Sequence, residues 1–233
     1  MTSNLGDRMK RYELPFNHYL VPKTPVIVRV DGKAFHTYTQ LRNLNKPFDN
    51  MLIAAMIQTT KHTARKMQGF KLAYIQSDEA SFLLTDFDTF ETEGYFDYEL
   101  NKILSITAST FTAYFNQFMG VDEVAMFDAR AFNIPLEDFP NYFVWRQRDW
   151  ERNSLQMLAR THYSQKELHG KGSPEIHEML HKKDVNWAEL KDVYKNGTFI
   201  AYNSEDPIHE KLSYNDIYEL VVPSLYNNGD KNE

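Results

Sequence analysis

Two aspartates carry the first chemistry that this sequence offers. Asp31 stands in the string Val30-Asp31-Gly32-Lys33-Ala34-Phe35-His36, and Asp78 in Ser77-Asp78-Glu79-Ala80-Ser81-Phe82. Two carboxylates brought close together repel each other unless a cation joins them. Hard oxygen donors with few histidines nearby suit Mg²⁺, which keeps water and phosphate oxygens as further ligands. Two such ions clamp an in-line phosphoryl displacement, one at the attacking hydroxyl and one at the leaving pyrophosphate. Gly32 has no side chain to hold a metal or phosphate away from its backbone. Lys33 and His36 are placed to meet phosphate oxygens. Glu79 is a third carboxylate, but successive residues of an extended segment point opposite ways, so Asp78 and Glu79 take different roles. Asp-Gly and Ser-Asp-Glu are also ordinary turn sequences. Spacing alone therefore leaves a plain surface turn open at both places.

The elements around these residues must bring Asp31 and Asp78 together. Residues 25–31 (PVIVRVD) read as a buried strand ending at Asp31. A polar stretch runs to Asn45. A helix is expected from Pro47 to Met67, with Phe48, Met51, Leu52, Ala55 and Met56 on its apolar stripe, Pro47 in its first turn and Gly69 past its end. FKLAYIQ and ASFLLT are strands joined by the short polar turn SDE, a hairpin pattern. A second helix is expected from Tyr98 to Phe118, with Leu100, Ile103, Leu104, Thr107, Phe111, Tyr114, Phe115 and Phe118 turned inward. The strand VAMFDARAFNI follows. Strand, helix, strand, strand, helix, strand is the ferredoxin-like order of an α+β fold: an antiparallel sheet with two helices on one face. In that sheet the ends of the first strand and of the hairpin are neighbours. Residues 1–135 thus form a palm-like catalytic domain. Residues 136–233 form a mostly helical extension with a terminal strand, packed on the palm as one unit. The extension is expected to carry a long helix near residues 139–162, an exposed loop to Pro174, a short helix after it, and then, over NWAELKDVYKNGTFIAY, a further helix, a turn at Gly197 and a final strand. The closing NNGDKNE reads as a frayed tail.

Hydrophobic residues make up 42% of the 233, enough for a substantial core. With no cysteine, thiol nucleophiles, thiolate metal sites and disulfides are excluded. No apolar run approaches a membrane span and the amino end lacks a signal-peptide core, so a cytoplasmic location is expected. The net charge of -6 argues against broad non-specific nucleic-acid binding, but cations are clustered. Lys61, Arg65, Lys66 and Lys71 form one group. Arg130, Arg146, Arg148, Arg152, Arg160, Lys166 and Lys171 form another. Facing the carboxylates, they would lay a phosphate track on an acidic body; otherwise they are solvated surface. Trp145, Trp150, Leu155 and Leu158 read as core. His162, His169, His177 and His181 do not make a zinc set.

Taken together, six ordered blocks resemble the tRNA-histidine guanylyltransferase family, and most nearly its Thg1-like proteins. They are RVDGKAFH (29–36), KPFD (46–49), SDEASF (77–82), FDAR (127–130), YFVWRQRD (142–149) and ELKDVYKNGTFI (189–200). The resemblance implies a polymerase-like palm that extends RNA at its 5′ end. The 5′ monophosphate is first capped with an adenylyl group from ATP. The 3′ hydroxyl of an incoming nucleotide then attacks that end and expels AMP; a 5′ triphosphate end bypasses activation and loses pyrophosphate. It implies that Asp31 and Asp78, helped by the Gly32 carbonyl, hold two Mg²⁺ ions, and that Glu79 matters for catalysis. It places a triphosphate (ATP, GTP or another nucleoside triphosphate) along Gly32, Lys33, Ala34, Phe35 and His36, with Ser77 beside it. Lys46, Arg130, Arg146, Arg148 and Asn153 are its candidates for RNA or second-nucleotide contacts. tRNA is the implied partner and a homotetramer the implied assembly. The histidine-tRNA enzymes carry His-Ile-Asn-Asn shortly after the WRQ segment, whereas this chain reads Glu151-Arg152-Asn153-Ser154. That departure favours template-directed repair of 5′-truncated tRNA over addition of G at position -1 of tRNA-His. A metal-dependent nucleotide cyclase, a non-catalytic RNA-binding module and a structural homo-oligomer are the competing readings.

Overall fold

β-Branched side chains run almost unbroken through β1 (Val26–Gly32), and the strand is accordingly buried on both faces near the middle of a sheet. The structure is a computed structural model and describes residues 4–222 except 90, 203 and 205; the expected frayed tail lies outside the described residues. β1 pairs antiparallel with β3 (Glu79–Leu84) on one side and β4 (Phe127–Asn133) on the other. β2 (Phe70–Gln76) pairs with β3, and β5 (Thr198–Ala201) closes the far edge beside β2. The sheet order is β4-β1-β3-β2-β5. Its first four strands, with helices α3 (Asn50–Ala64) and α4 (Leu100–Met119), make the expected ferredoxin-like arrangement.

Alternation along the strands divides the core. Val26, Val28 and Val30 face the layer of α3 and α4, where Met56, Ile103, Phe111 and Phe115 are buried. Ile27, Leu72, Tyr74 and Leu83 face the opposite way, under Phe139, Tyr142 and Phe143 of α5 (Phe139–Ala159) and Ile217 of α9 (Tyr214–Val221). The extension therefore covers the second sheet face and also supplies the edge strand. Its outer part, with α6 (Gln165–Leu168) and α7 (Ser173–His181), buries Leu155, Leu158, Leu168, Ile176 and Leu180 in a separate cluster.

Several expectations shift. The polar stretch after β1 contains a helix, α2 (Phe35–Leu41), which starts from Ala34 in a left-handed conformation (φ 51°). Helix α3 starts at Asn50 rather than Pro47, because the buried Asp49 carboxylate caps it by accepting from the Leu52 amide at 2.9 Å. Phe118 is 39% exposed and lies outside the inward stripe of α4. A helix α1 (Leu5–Glu13) precedes the palm. The helix expected over NWAELKDVYK is confined to a short α8 (Asp192–Lys195), Gly197 turns the chain at φ 74° as expected, and α9 follows β5, so the strand is not the last element of the extension.

Candidate active site

Asp31 lies near the end of β1, where its cross-strand partners are Glu79 on β3 and Asp128 on β4. Asp78 occupies the two-residue turn between β2 and β3, after Ser77 in a left-handed conformation (φ 50°). Gly32 links the two. A Cβ built there would stand 2.8 Å from Oδ2 of Asp78 and would run into the Phe35 ring. Only glycine lets this stretch of backbone lie against the carboxylate.

Electrostatics mark the pair as short of positive charge. Burial raises Asp78 to about 6; hydrogen bonds from Ser77 and its own amide oppose the rise, and the nearby Asp31 charge adds to it. Asp31 is also raised, by burial and then by Asp128, against the pull of Arg29, Arg130 and Arg146. Two desolvated carboxylates beside the Gly32 backbone are what a hard divalent cation would satisfy, so the donor set fits Mg²⁺. Among the described residues no group of three or more His, Asp and Glu side chains is gathered for a metal. The candidate donors are thus two carboxylates and the Gly32 backbone.

Glu79 is turned to a different task. Its oxygens accept from Nε and Nη2 of Arg146, both at 2.8 Å, and Nε of Arg29 stands 3.9 Å away. Burial raises this carboxyl and the two guanidiniums oppose the rise.

A cavity of about 440 Å³ opens beside Asp78, within the range of small-ligand pockets. Phe35, His36, Lys46, Ser77 and Asp78 line it, with apolar walls from Leu44, Ile53, Met56 and Ile75. Trp150, Met157 and Arg160 of α5 line it too. Sequence reasoning missed that role. Arg160 stood out only as one member of a cationic cluster, and Trp150 reads as ordinary core until the helix is seen crossing the pocket. Asp31, Gly32, Lys33 and Ala34 lie outside the lining. The Lys33 side chain is exposed, and its amide donates to the Met126 carbonyl at 2.8 Å. Ala34 turns the chain into α2, whose first amides, at Phe35 and His36, have no acceptor within the helix. The Phe35 ring packs on Tyr38, Phe115 and Phe127.

The remaining expected contacts separate. Arg130, Arg148 and Asn153 are exposed, Arg130 standing 3.6 Å from Asp128 and Asn153 donating to Asp149 at 3.3 Å. Arg146 is 6% exposed and its guanidinium is held by Glu79 and Asp149, so it is not offered to RNA. Lys71 drops out of the phosphate track for the same reason. It is buried, with Nζ 2.7 Å from both oxygens of Asp88. The block at residues 151–154 ties α5 to the rest of the extension: Glu151 pairs with Lys211, and the buried Ser154 accepts from the Trp187 indole at 3.1 Å. His177 packs edge-on against Trp187.

Residues 6–135 match the Thg1 family model, described as tRNAHis guanylyltransferase. The chain is 27% identical to the tRNA(His) guanylyltransferase of Debaryomyces hansenii, over 86% of this chain and 81% of that one. Its fold is similar to that of a bacterial tRNA(His) guanylyltransferase (Thg1)-like protein solved in complex with ATP, with a TM-score of 0.87, 37% identity, and coverage of 94% of this chain and 99% of the other. A bacterial Thg1-like protein solved in complex with GTP gives a TM-score of 0.82 at 37% identity, covering 96% of this chain and 100% of the other.

Proposed function

The chain belongs to the tRNAHis guanylyltransferase family, and we propose that it is a template-directed 3′-5′ nucleotidyltransferase that activates the 5′ end of truncated tRNA with ATP and then adds nucleotides to that end. The observation that carries this reading is the close approach of the Gly32 backbone to Asp78, which lines the cavity and lies near the Asp31 charge. The cavity takes the base of the nucleoside triphosphate among its apolar walls. His36, Lys46 and Ser77 face its phosphates. Asp31, Asp78 and the Gly32 carbonyl would hold Mg²⁺, which when bound supplies charge neutralisation at the reacting phosphate oxygens. Glu79, gripped by Arg146, fixes the strand that begins directly after Asp78.

The chemistry is two successive displacements at phosphorus. The 5′ monophosphate of the RNA attacks the α-phosphate of ATP and pyrophosphate leaves. The 3′ hydroxyl of the incoming nucleotide then attacks the capped 5′ phosphate and AMP leaves. tRNA is the RNA partner, the assembly is a homotetramer and the compartment is the cytoplasm. No helix among the described residues is long and apolar enough to cross a membrane.

Repair is preferred over guanylate addition to tRNA-His because residues 151–154 serve contacts within the extension. The second reading, G addition at position -1, has in its favour the likeness to the tRNA(His) guanylyltransferase of Debaryomyces hansenii. One assay separates them. A tRNA lacking its first nucleotide, with Mg²⁺, ATP and all four nucleotides, is extended by bases that complement the opposite acceptor strand. Addition of G whatever the opposing base supports the second reading. No extension, with folded protein and intact tRNA, sinks both.

A further inference from the structure

Of the three tryptophans, Trp150 is 5% exposed and Trp187 is partly buried, but Trp145 has 52% of its surface in solvent. Its ring is nonetheless held in place. The Arg146 guanidinium lies over one face, 4.6 Å from the centroid, and Tyr142 packs edge-on at 5.8 Å. One face of the ring is packed and the other is open, and a tryptophan so held supplies a rigid apolar surface of the kind enriched at contacts.

The location limits what the contact is. Asp31 stands opposite Glu79 in the sheet, Glu79 is gripped by Arg146, and Arg146 underlies Trp145. The ring is therefore only a few side chains from the carboxylate pair. It lies on the opposite side of α5 from the cavity. Trp150, Met157 and Arg160 face the cavity, whereas Trp145, Arg148 and Arg152, spaced three and four residues apart, make one exposed stripe. Arg152 pairs with Asp149. Arg148 has no ion pair among the described residues.

We propose that Trp145 is a stacking platform for the terminal base of the RNA 5′ end, with Arg148 following the phosphates that trail from it. This rests on the functional reading above, in which the nucleoside triphosphate takes the cavity and leaves the other side of α5 to the second reactant. Every nucleobase offers a π-face, so a tryptophan ring binds the end of any truncated tRNA without reading its sequence, as a repair enzyme needs. An underlying guanidinium keeps the ring from collapsing onto the sheet and adds a cation–π contact from behind. The exposed Arg148 beside the platform, with Arg152 and its partner Asp149 one turn further on, suits a polyanion, whereas a free nucleotide needs only the cavity.

The test uses the full chain and a tRNA that lacks its first nucleotide and carries a 5′ triphosphate. Trp145→Ala is expected to raise the KM for this RNA about ten- to a hundredfold and to leave the KM for the incoming nucleotide unchanged. Trp145→Phe restores most of the loss. RNA quenches the wild-type tryptophan fluorescence, and Trp145→Phe lacks that quench. Arg148→Ala lowers the salt slope of RNA binding by about one. Circular dichroism of each variant checks that it is folded. An unchanged KM for RNA in folded Trp145→Ala overturns the platform, as does a shift in the nucleotide KM instead. A change in sedimenting mass would assign the ring to contact between copies and overturns it equally. If the wild type adds no nucleotide, the functional reading fails and this inference with it; an active wild type matched by Trp145→Ala sinks the inference alone.

Discussion

Arg146 meets the Glu79 carboxylate with two parallel hydrogen bonds, Nε and Nη2 each at 2.8 Å, and both side chains are buried. The guanidinium comes from the extension and the carboxylate from the palm. The pair fastens the outer helix α5 to the strand that begins directly after Asp78.

Removing one partner leaves a buried charge alone. Arg146→Ala is expected to cost about 3–5 kcal/mol in urea unfolding, and the double variant Arg146→Met with Glu79→Gln should recover a good part of it. A loss below about 1 kcal/mol in Arg146→Ala would mean that the pair behaves like a solvent-exposed one.

Asp78 gives a pH signature. Its carboxyl is raised to about 6 in the folded chain from an ordinary value of 3.8. The folded state therefore holds the proton more tightly than the unfolded state does. The stability this contributes is complete below about pH 4 and is lost as the pH rises towards and through 6. In EDTA, Asp78→Asn should be more stable than the parent at pH 7, on the order of 1–3 kcal/mol, with the difference vanishing near pH 4. Added Mg²⁺ should raise the melting temperature of the parent and not of the variant. Equal pH profiles for the two proteins would contradict the desolvated pair.

Gly32→Ala places a methyl group against Asp78 and the Phe35 ring. Displacing a reacting group by even about 1 Å costs on the order of a hundredfold in rate. The variant should keep its circular dichroism spectrum and lose at least about that factor in kcat. Near-normal turnover would show that the close approach is not used.

Glu151→His restores one residue of the histidine-tRNA block. Because Glu151 pairs with Lys211 at the surface, the change should cost less than about 1 kcal/mol. Primer-extension products should still follow the template. A switch to untemplated G would show that position 151 selects the reaction.

Much of this was legible in the sequence because local periodicity and burial agree in the palm. The β-branched run ending at Asp31, the Ser-Asp-Glu turn and the inner stripe of α4 each state their own geometry. The ferredoxin-like order alone places Asp31 and Asp78 at neighbouring strand ends. Helix α2 was missed because it has only seven residues and starts from a left-handed alanine that no pattern announces. Lys71 and Arg146 were read as available cations. Their neutralising partners, Asp88 and Glu79, lie 17 and 67 residues away, and linear sequence carries no sign of such pairings. Trp145 and Trp150 looked alike as core; which faces solvent depends on the angle at which α5 lies on the sheet.

The position of β5 bears on how the protein is made. Strand β2 acquires its outer neighbour only when residues 198–201 arrive. Until then a ribosome-bound chain presents an unpaired edge of buried-type residues, and Ile27, Leu72, Tyr74 and Leu83 have no cover from α5 or α9. Such edges and faces recruit other chains. The sheet is therefore completed only after residues 198–201 are made, and a fragment ending at residue 135 is expected to aggregate rather than fold.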